Sequence, residues 1–128
     1  MPGHIKFKHD KESDVIIADP KWHIVTEEDC KVWYDEWVSY LKIFGRKMDC
    51  IMVLDDFSVE PDVARMWGEY RARINKDHIR HGYRVNPDYT VSIYVKTSGI
   101  RYNAATAEAA SVEDAMQAIF AARKADGS

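Results

Sequence analysis

Met48-Asp49-Cys50-Ile51-Met52-Val53-Leu54-Asp55-Asp56-Phe57-Ser58-Val59-Glu60-Pro61, running on into Asp62-Val63-Ala64-Arg65-Met66-Trp67, decides the fold class. A short, nearly unbroken apolar run stops at two acids. A polar turn follows, and then apolar residues at helical spacing. A strand that is apolar on both faces needs cover on both sides, which places Cys50–Leu54 inside the sheet of an α/β fold. Ligands and partners of such sheets gather beyond the carboxyl ends of the strands. Asp55, Asp56 and Ser58 are expected on that rim, with a helix beginning between Ser58 and Asp62.

Upstream, Ile5-Lys6-Phe7-Lys8 alternates apolar with polar, and Val15-Ile16-Ile17-Ala18 is β-branched. The polar run from His9 to Asp14 makes the two a hairpin. Pro20 to Val25 reads as a connector. Thr26-Glu27-Glu28-Asp29 resembles a capping box, with acids where the helix dipole favours them. Cys30, Trp33, Trp37, Leu41 and Phe44 form one apolar face of that helix, flanked by Tyr34 and Tyr40. Gly45 is suited to ending it.

Downstream, Val63, Met66, Trp67, Tyr70 and Ile74 form the stripe of a second helix. Gly82-Tyr83-Arg84-Val85 is a short strand stopped by Asn86-Pro87. Residues 88–103 alternate as a strand does, although a short helix also fits. Residues 104–110 read as a weak strand or an extended connector. Ser111-Val112-Glu113-Asp114 opens a C-terminal helix through Ala115, Met116, Ile119 and Phe120. Its end, from about Lys124, is expected to fray.

The chain has 128 residues, 46% of them hydrophobic, and a net charge of -3. That suits one domain with its own core and gives no electrostatic reason to expect nucleic acid. Cys30 and Cys50 read as reduced, buried thiols, too few for a thiolate metal site. With no signal-type leader and no run long enough to span a bilayer, a cytoplasmic protein is expected.

This order of elements, with three local matches, resembles the anti-sigma-factor-antagonist-like group, the SpoIIAA-like or STAS-like proteins. The matches are Val15-Ile16-Ile17-Ala18 leading through a connector to the capped helix, Ile51-Met52-Val53-Leu54-Asp55, and Ser111-Val112-Glu113-Asp114-Ala115. The resemblance implies a mixed sheet of four to five strands with helices packed against it, and a helical 88–103. Phosphoswitch members carry an Asp-Ser-Ser-Gly-like sequence at the start of the second helix. Here Asp56-Phe57-Ser58-Val59-Glu60-Pro61-Asp62 has neither the paired serine nor the glycine. The chain therefore looks nearer to the diverged branch, associated with apolar-ligand or membrane-proximal binding.

The candidate rim for a partner or ligand is Asp55, Asp56, Ser58, Asp62 and Arg65. Ser58 reads as a helix N-cap, or as a phosphate acceptor at a helix N-terminus. Trp33, Trp37, Met52, Met66, Trp67 and Tyr70 read either as core or as the lining of an apolar pocket. Arg65, Arg71, Arg73, Lys76, Arg80 and Arg84 against Glu69 and Asp77 give a local +4. That stretch reads as a solvated helix face, or as a surface for a phosphorylated partner or acidic lipid.

These residues point to a non-enzymatic module, without cofactor or metal, that binds a protein partner or a small apolar ligand. One alternative is a small metal-dependent enzyme using Asp55 and Asp56 with His78 or His81. The other is a dimeric scaffold built on the edge strand Ile5–Lys8.

Overall fold

The computed structural model describes residues 4–85 and 107–127. The two readings of residues 88–103 lie outside them. The hairpin forms as expected, but its strands run longer: β1 is Ile5–Asp10 and β2 is Val15–Pro20. Asp14 closes the turn in the left-handed region (φ 57°), a conformation that Asp tolerates better than most residues.

The expected connector contains a strand, β3 (Trp22–Ile24), too short to show periodicity. Thr26 then caps helix α1 (Glu27–Leu41). Its hydroxyl accepts from the Asp29 amide, and the Asp29 carboxylate accepts from the Thr26 amide, so the capping box is complete. A 3-10 turn (Lys42–Phe44) ends at Gly45, whose φ of 64° is easy only without a Cβ.

The decisive run is β4 (Met48–Val53), the middle strand of a five-stranded mixed sheet. It lies parallel to β2 on one side and to β6 (Ile79–Val85) on the other. The sheet order is β1-β2-β4-β6-β7, with β7 at Ala107–Ala109. Only β1 is antiparallel to its neighbour.

Helix α2 (Ala64–His78) begins later than expected. Phe57–Val59 is instead a strand, β5, paired in parallel with β3 as a separate two-stranded ribbon. Pro61 opens a 3-10 turn before α2, as suits a residue with no amide hydrogen. The last helix, α3 (Val112–Ala125), is capped by the Ser111 hydroxyl on the Asp114 amide. It runs as far as Ala125, with Asp126 as its C-cap.

The alternation of β2 and β4 divides the core. Ile16, Ala18, Cys50 and Met52 face α1 and α2, against Trp33, Trp37, Leu41, Trp67 and Ile74. Val15, Ile51 and Val85 face α3, against Ala115 and Ile119. Each face is covered, which is why β4 has no polar alternation. Among the described residues, no helix is long and apolar enough to cross a membrane.

Candidate functional site

β2 and β4 lie side by side and end close together, at Pro20 and Val53. Beyond each, the chain breaks for a few residues and then pairs again, as β3 and β5. The ribbon therefore extends the central parallel pair past the carboxyl edge of the sheet. Trp22 lies opposite Phe57, His23 opposite Ser58 and Ile24 opposite Val59. Two further backbone bonds hold it, from the Trp22 amide to the Asp56 carbonyl (3.0 Å) and from the Glu60 amide to the Ile24 carbonyl (2.8 Å).

Phe57 and Val59 point inward and are buried, which turns Ser58 and Glu60 toward the open side. There His23 joins them. Its Nδ1 is hydrogen-bonded to the Ser58 hydroxyl, and its Nε2 lies 2.8 Å from Glu60 Oε1. Lys21, Trp22, Asp55 and Asp56 complete a cleft of about 340 Å³ with His23, Phe57 and Ser58. The turn directs both Asp55 and Asp56 into this cleft, although adjacent strand residues would diverge. Both acids are exposed.

Ser58 is therefore not a helix cap. It is a strand residue, and the N-cap of α2 is Val63, which makes no side-chain cap. The reading of a phosphate acceptor at a helix N-terminus falls for the same reason. A histidine between a hydroxyl and a carboxylate has the connectivity of a nucleophile relay. Its surroundings oppose that chemistry: the group is open to water, and two carboxylates share the cleft where acyl transfer would build an oxyanion. Its supported chemistry is hydrogen bonding and charge. Asp62 and Arg65 are exposed but do not line this cleft, and Arg65 lies beside Glu69 at 3.5 Å.

The aromatic candidates go inward. Trp33 meets Phe57, Trp67 and Trp37 at ring separations of 5.0, 5.7 and 5.9 Å. Met52 is buried with them, and Met66 and Tyr70 are half-buried around the cluster. None of the six lines the β3–β5 cleft. They are the packed interior that positions it.

The metal reading fails on geometry. His81 Nδ1 lies 2.8 Å from Asp49 Oδ1, and its Nε2 lies 2.9 Å from Asp126 Oδ2. Asp49 belongs to the start of β4 and Asp55 follows its end, so roughly 20 Å of strand separates His81 from the paired acids. His78 ends α2 and is not part of this arrangement. Among the described residues, no three His, Cys, Asp or Glu side chains are grouped to hold a metal ion.

The network around Asp49 has one mark in the sequence, an acid inside an apolar run. A buried carboxylate has to be bonded. Asp49 is 4% exposed and accepts from the His81 amide (3.1 Å) and from Arg123 Nε (2.7 Å). The same guanidinium donates to the Ser13 carbonyl (2.7 Å) and the Asp14 carbonyl (2.9 Å). One side chain of α3 thus ties β4 to the β1–β2 turn.

The basic stretch is divided as well. Arg71 and Arg84 are interior, so the solvated-face reading fails for them. Burial, helped by the nearby Arg84 charge, lowers the pKa of Arg71 to about 9. Arg84 lies 3.8 Å from Glu108. Both cysteines are buried free thiols. Burial pushes Cys30 up to about 11 and raises Cys50 too, so neither is a reactive thiolate.

No family model matches the chain, and no curated protein matches it.

Proposed function

We propose that this chain is a SpoIIAA-like binding module that docks a protein partner through the rim carried by the β3–β5 ribbon. One observation carries the reading. Asp55, Asp56, His23 and Ser58 converge with Trp22 on one open cleft at the carboxyl edge of a parallel sheet. Side chains there are held in place by backbone pairing, so little ordering is needed before contact. The acids outnumber Lys21, which favours a partner with a basic surface. Trp22, half-buried, offers the kind of aromatic anchor that interfaces use. The element order and the mixed sheet support the SpoIIAA-like architecture. Because the aromatic interior is packed ring on ring, a protein partner fits better than a small apolar ligand.

The test is comparative capture. Proteins retained by the wild type and lost by the double variant Asp55→Lys, Asp56→Lys would be purified and titrated directly. Binding should weaken at least about tenfold in the variant and weaken with salt in the wild type. A partner held equally by both forms at every ionic strength would refute this use of the rim.

A further inference from the structure

Strand β6 is irregular at its start. Between Met48 and Cys50 the β4 chain advances two residues, whereas β6 advances three, from Ile79 to Gly82. The extra residue is a bulge at Arg80 and His81. Neighbours in a regular strand point to opposite faces. Here both reach one carboxylate, that of Asp126 at the end of α3, with His81 Nε2 at 2.9 Å and Arg80 Nη2 at 3.3 Å. The other ring nitrogen of His81, Nδ1, lies 2.8 Å from Asp49 Oδ1. The imidazole thus stands between two carboxylates. Asp49 is buried inside the sheet, and Asp126 is exposed at a helix end. The last turn of α3 leans on these contacts, because no described residue after Ile119 is buried. Asp126 is the C-cap, where the helix dipole opposes a negative charge. Arg80 and His81 supply the donors that hold it there.

We propose that His81 is a pH-operated latch on the end of α3. An imidazolium donates from both nitrogens and bridges Asp49 to Asp126, whereas a neutral ring has a single donor. Imidazoles exchange these states between about pH 5 and pH 8. The proton that remains stays on Nδ1, because the buried Asp49 cannot turn to water and Asp126 can. Nε2 then presents a lone pair to the Asp126 carboxylate, which turns outward and takes the last turn of α3 with it. Acid closes the latch and alkali opens it. The charged groups around the ring keep this sense. From β4 comes Asp49, from α3 come Asp126 and Arg123, and β6 itself supplies Arg80. Arg123 Nε bonds to Asp49 at 2.7 Å and Arg80 bonds to Asp126, and neither contact involves the ring. On β7, Glu108 pairs with Arg84 instead. Helix α2, with His78 at its end, covers the opposite face of the sheet.

The test is amide hydrogen exchange of the full chain at about pH 5 and about pH 8, corrected for the intrinsic pH dependence of exchange. The Asp126 and Gly127 amides report on the latch, since they donate to the Ala122 and Lys124 carbonyls of the last turn. Their protection should fall about threefold from the lower pH to the higher. The amides of Ala115 and Ile119, in the packed part of the helix, should not follow. Asp126→Asn, at an exposed site, should abolish the difference, because a carboxamide can accept from one ring state and donate to the other. Nitrogen NMR of the imidazole gives a second readout. Both ring nitrogens should carry protons at the lower pH, and Nδ1 alone at the higher. Equal protection at the two pH values in the wild type overturns the inference. So does a difference that survives Asp126→Asn, or a neutral ring protonated on Nε2.

Discussion

The two ends of β4 both carry acids, and they solve opposite problems. At the start, Asp49 is buried, with one oxygen accepting from His81 and the other from Arg123. At the far end, Asp55 and Asp56 stand in water at the mouth of a cleft. The difference teaches what each is for. A buried charge with every bond made holds elements together. An exposed pair of like charges adds little to folding and, under the proposed function, keeps its field available to a partner.

The sharpest way to break the contrast is to remove Asp49. Asp49→Ala leaves Arg123 and His81 without their shared acceptor at a mostly buried site. It should cost about 3–5 kcal/mol, enough to lower the melting temperature by roughly 10 °C or more. Urea unfolding followed by tryptophan fluorescence measures this. A loss under about 1 kcal/mol would show that the network is a bystander. The cycle with Arg123→Ala should give a coupling of about 1–3 kcal/mol, because the guanidinium serves Asp49 and the turn carbonyls together.

Legibility in the sequence follows the same contrast. The hairpin, α1 with its capping box, the central place of β4 and the two-sided core could be read because each rests on local pattern or a run of apolar residues. The β3–β5 ribbon could not. Three residues show no period, and Phe57-Ser58-Val59 becomes a strand only because Trp22-His23-Ile24 lies beside it. Pro61 was the better signal for where α2 begins. Asp55, Asp56 and Ser58 do follow the carboxyl end of β4, a position legible from the apolar run before them. His23 and Lys21, contributed by the other strand, were not legible, because convergence across 35 residues leaves no mark on local sequence. Asp49 and His81 were missed for the same reason: what makes them a pair is strand register.

Acid should strain the two ends differently. Near the Asp49 end, Asp14 accepts from His9 at 2.9 Å and pairs with Arg46 at 2.8 Å. The His9 hydrogen bond leads the causes that hold its carboxyl below the ordinary 3.8. A depressed carboxylate stabilises the fold above its unfolded pKa and loses that contribution as pH falls through the folded one. The window therefore opens near pH 3.8 and extends below it. Asp14→Asn, which suits the left-handed backbone there, should be less stable than the wild type at neutral pH, flatten the stability-versus-pH curve in that window, and converge with the wild type below it. An unchanged slope would remove Asp14 from the account.

At the rim, His23→Ala removes the bridge between Ser58 and Glu60. Cross-strand pairs of this kind are worth about 0.5–1 kcal/mol, so global stability should fall only slightly. The local effect should be clearer: hydrogen exchange at the Trp22 and Glu60 amides should quicken, since their acceptors lie across the ribbon. If those amides stay as protected as in the wild type, backbone pairing alone holds the ribbon.

The smallest effect on folding is expected where the proposed function is most exposed. Asp55→Asn and Asp56→Asn each remove a charge that is fully hydrated and faces a like neighbour. Either should change stability by less than about 0.5 kcal/mol, and relief of repulsion can make the change favourable. The same substitutions should slow association with a basic partner, most strongly at low salt, because the field of the cleft is what they reduce. Stopped-flow association beside urea unfolding separates the two. If both acids prove important for folding and irrelevant to association, the two ends of β4 are alike after all, and the rim is scaffold.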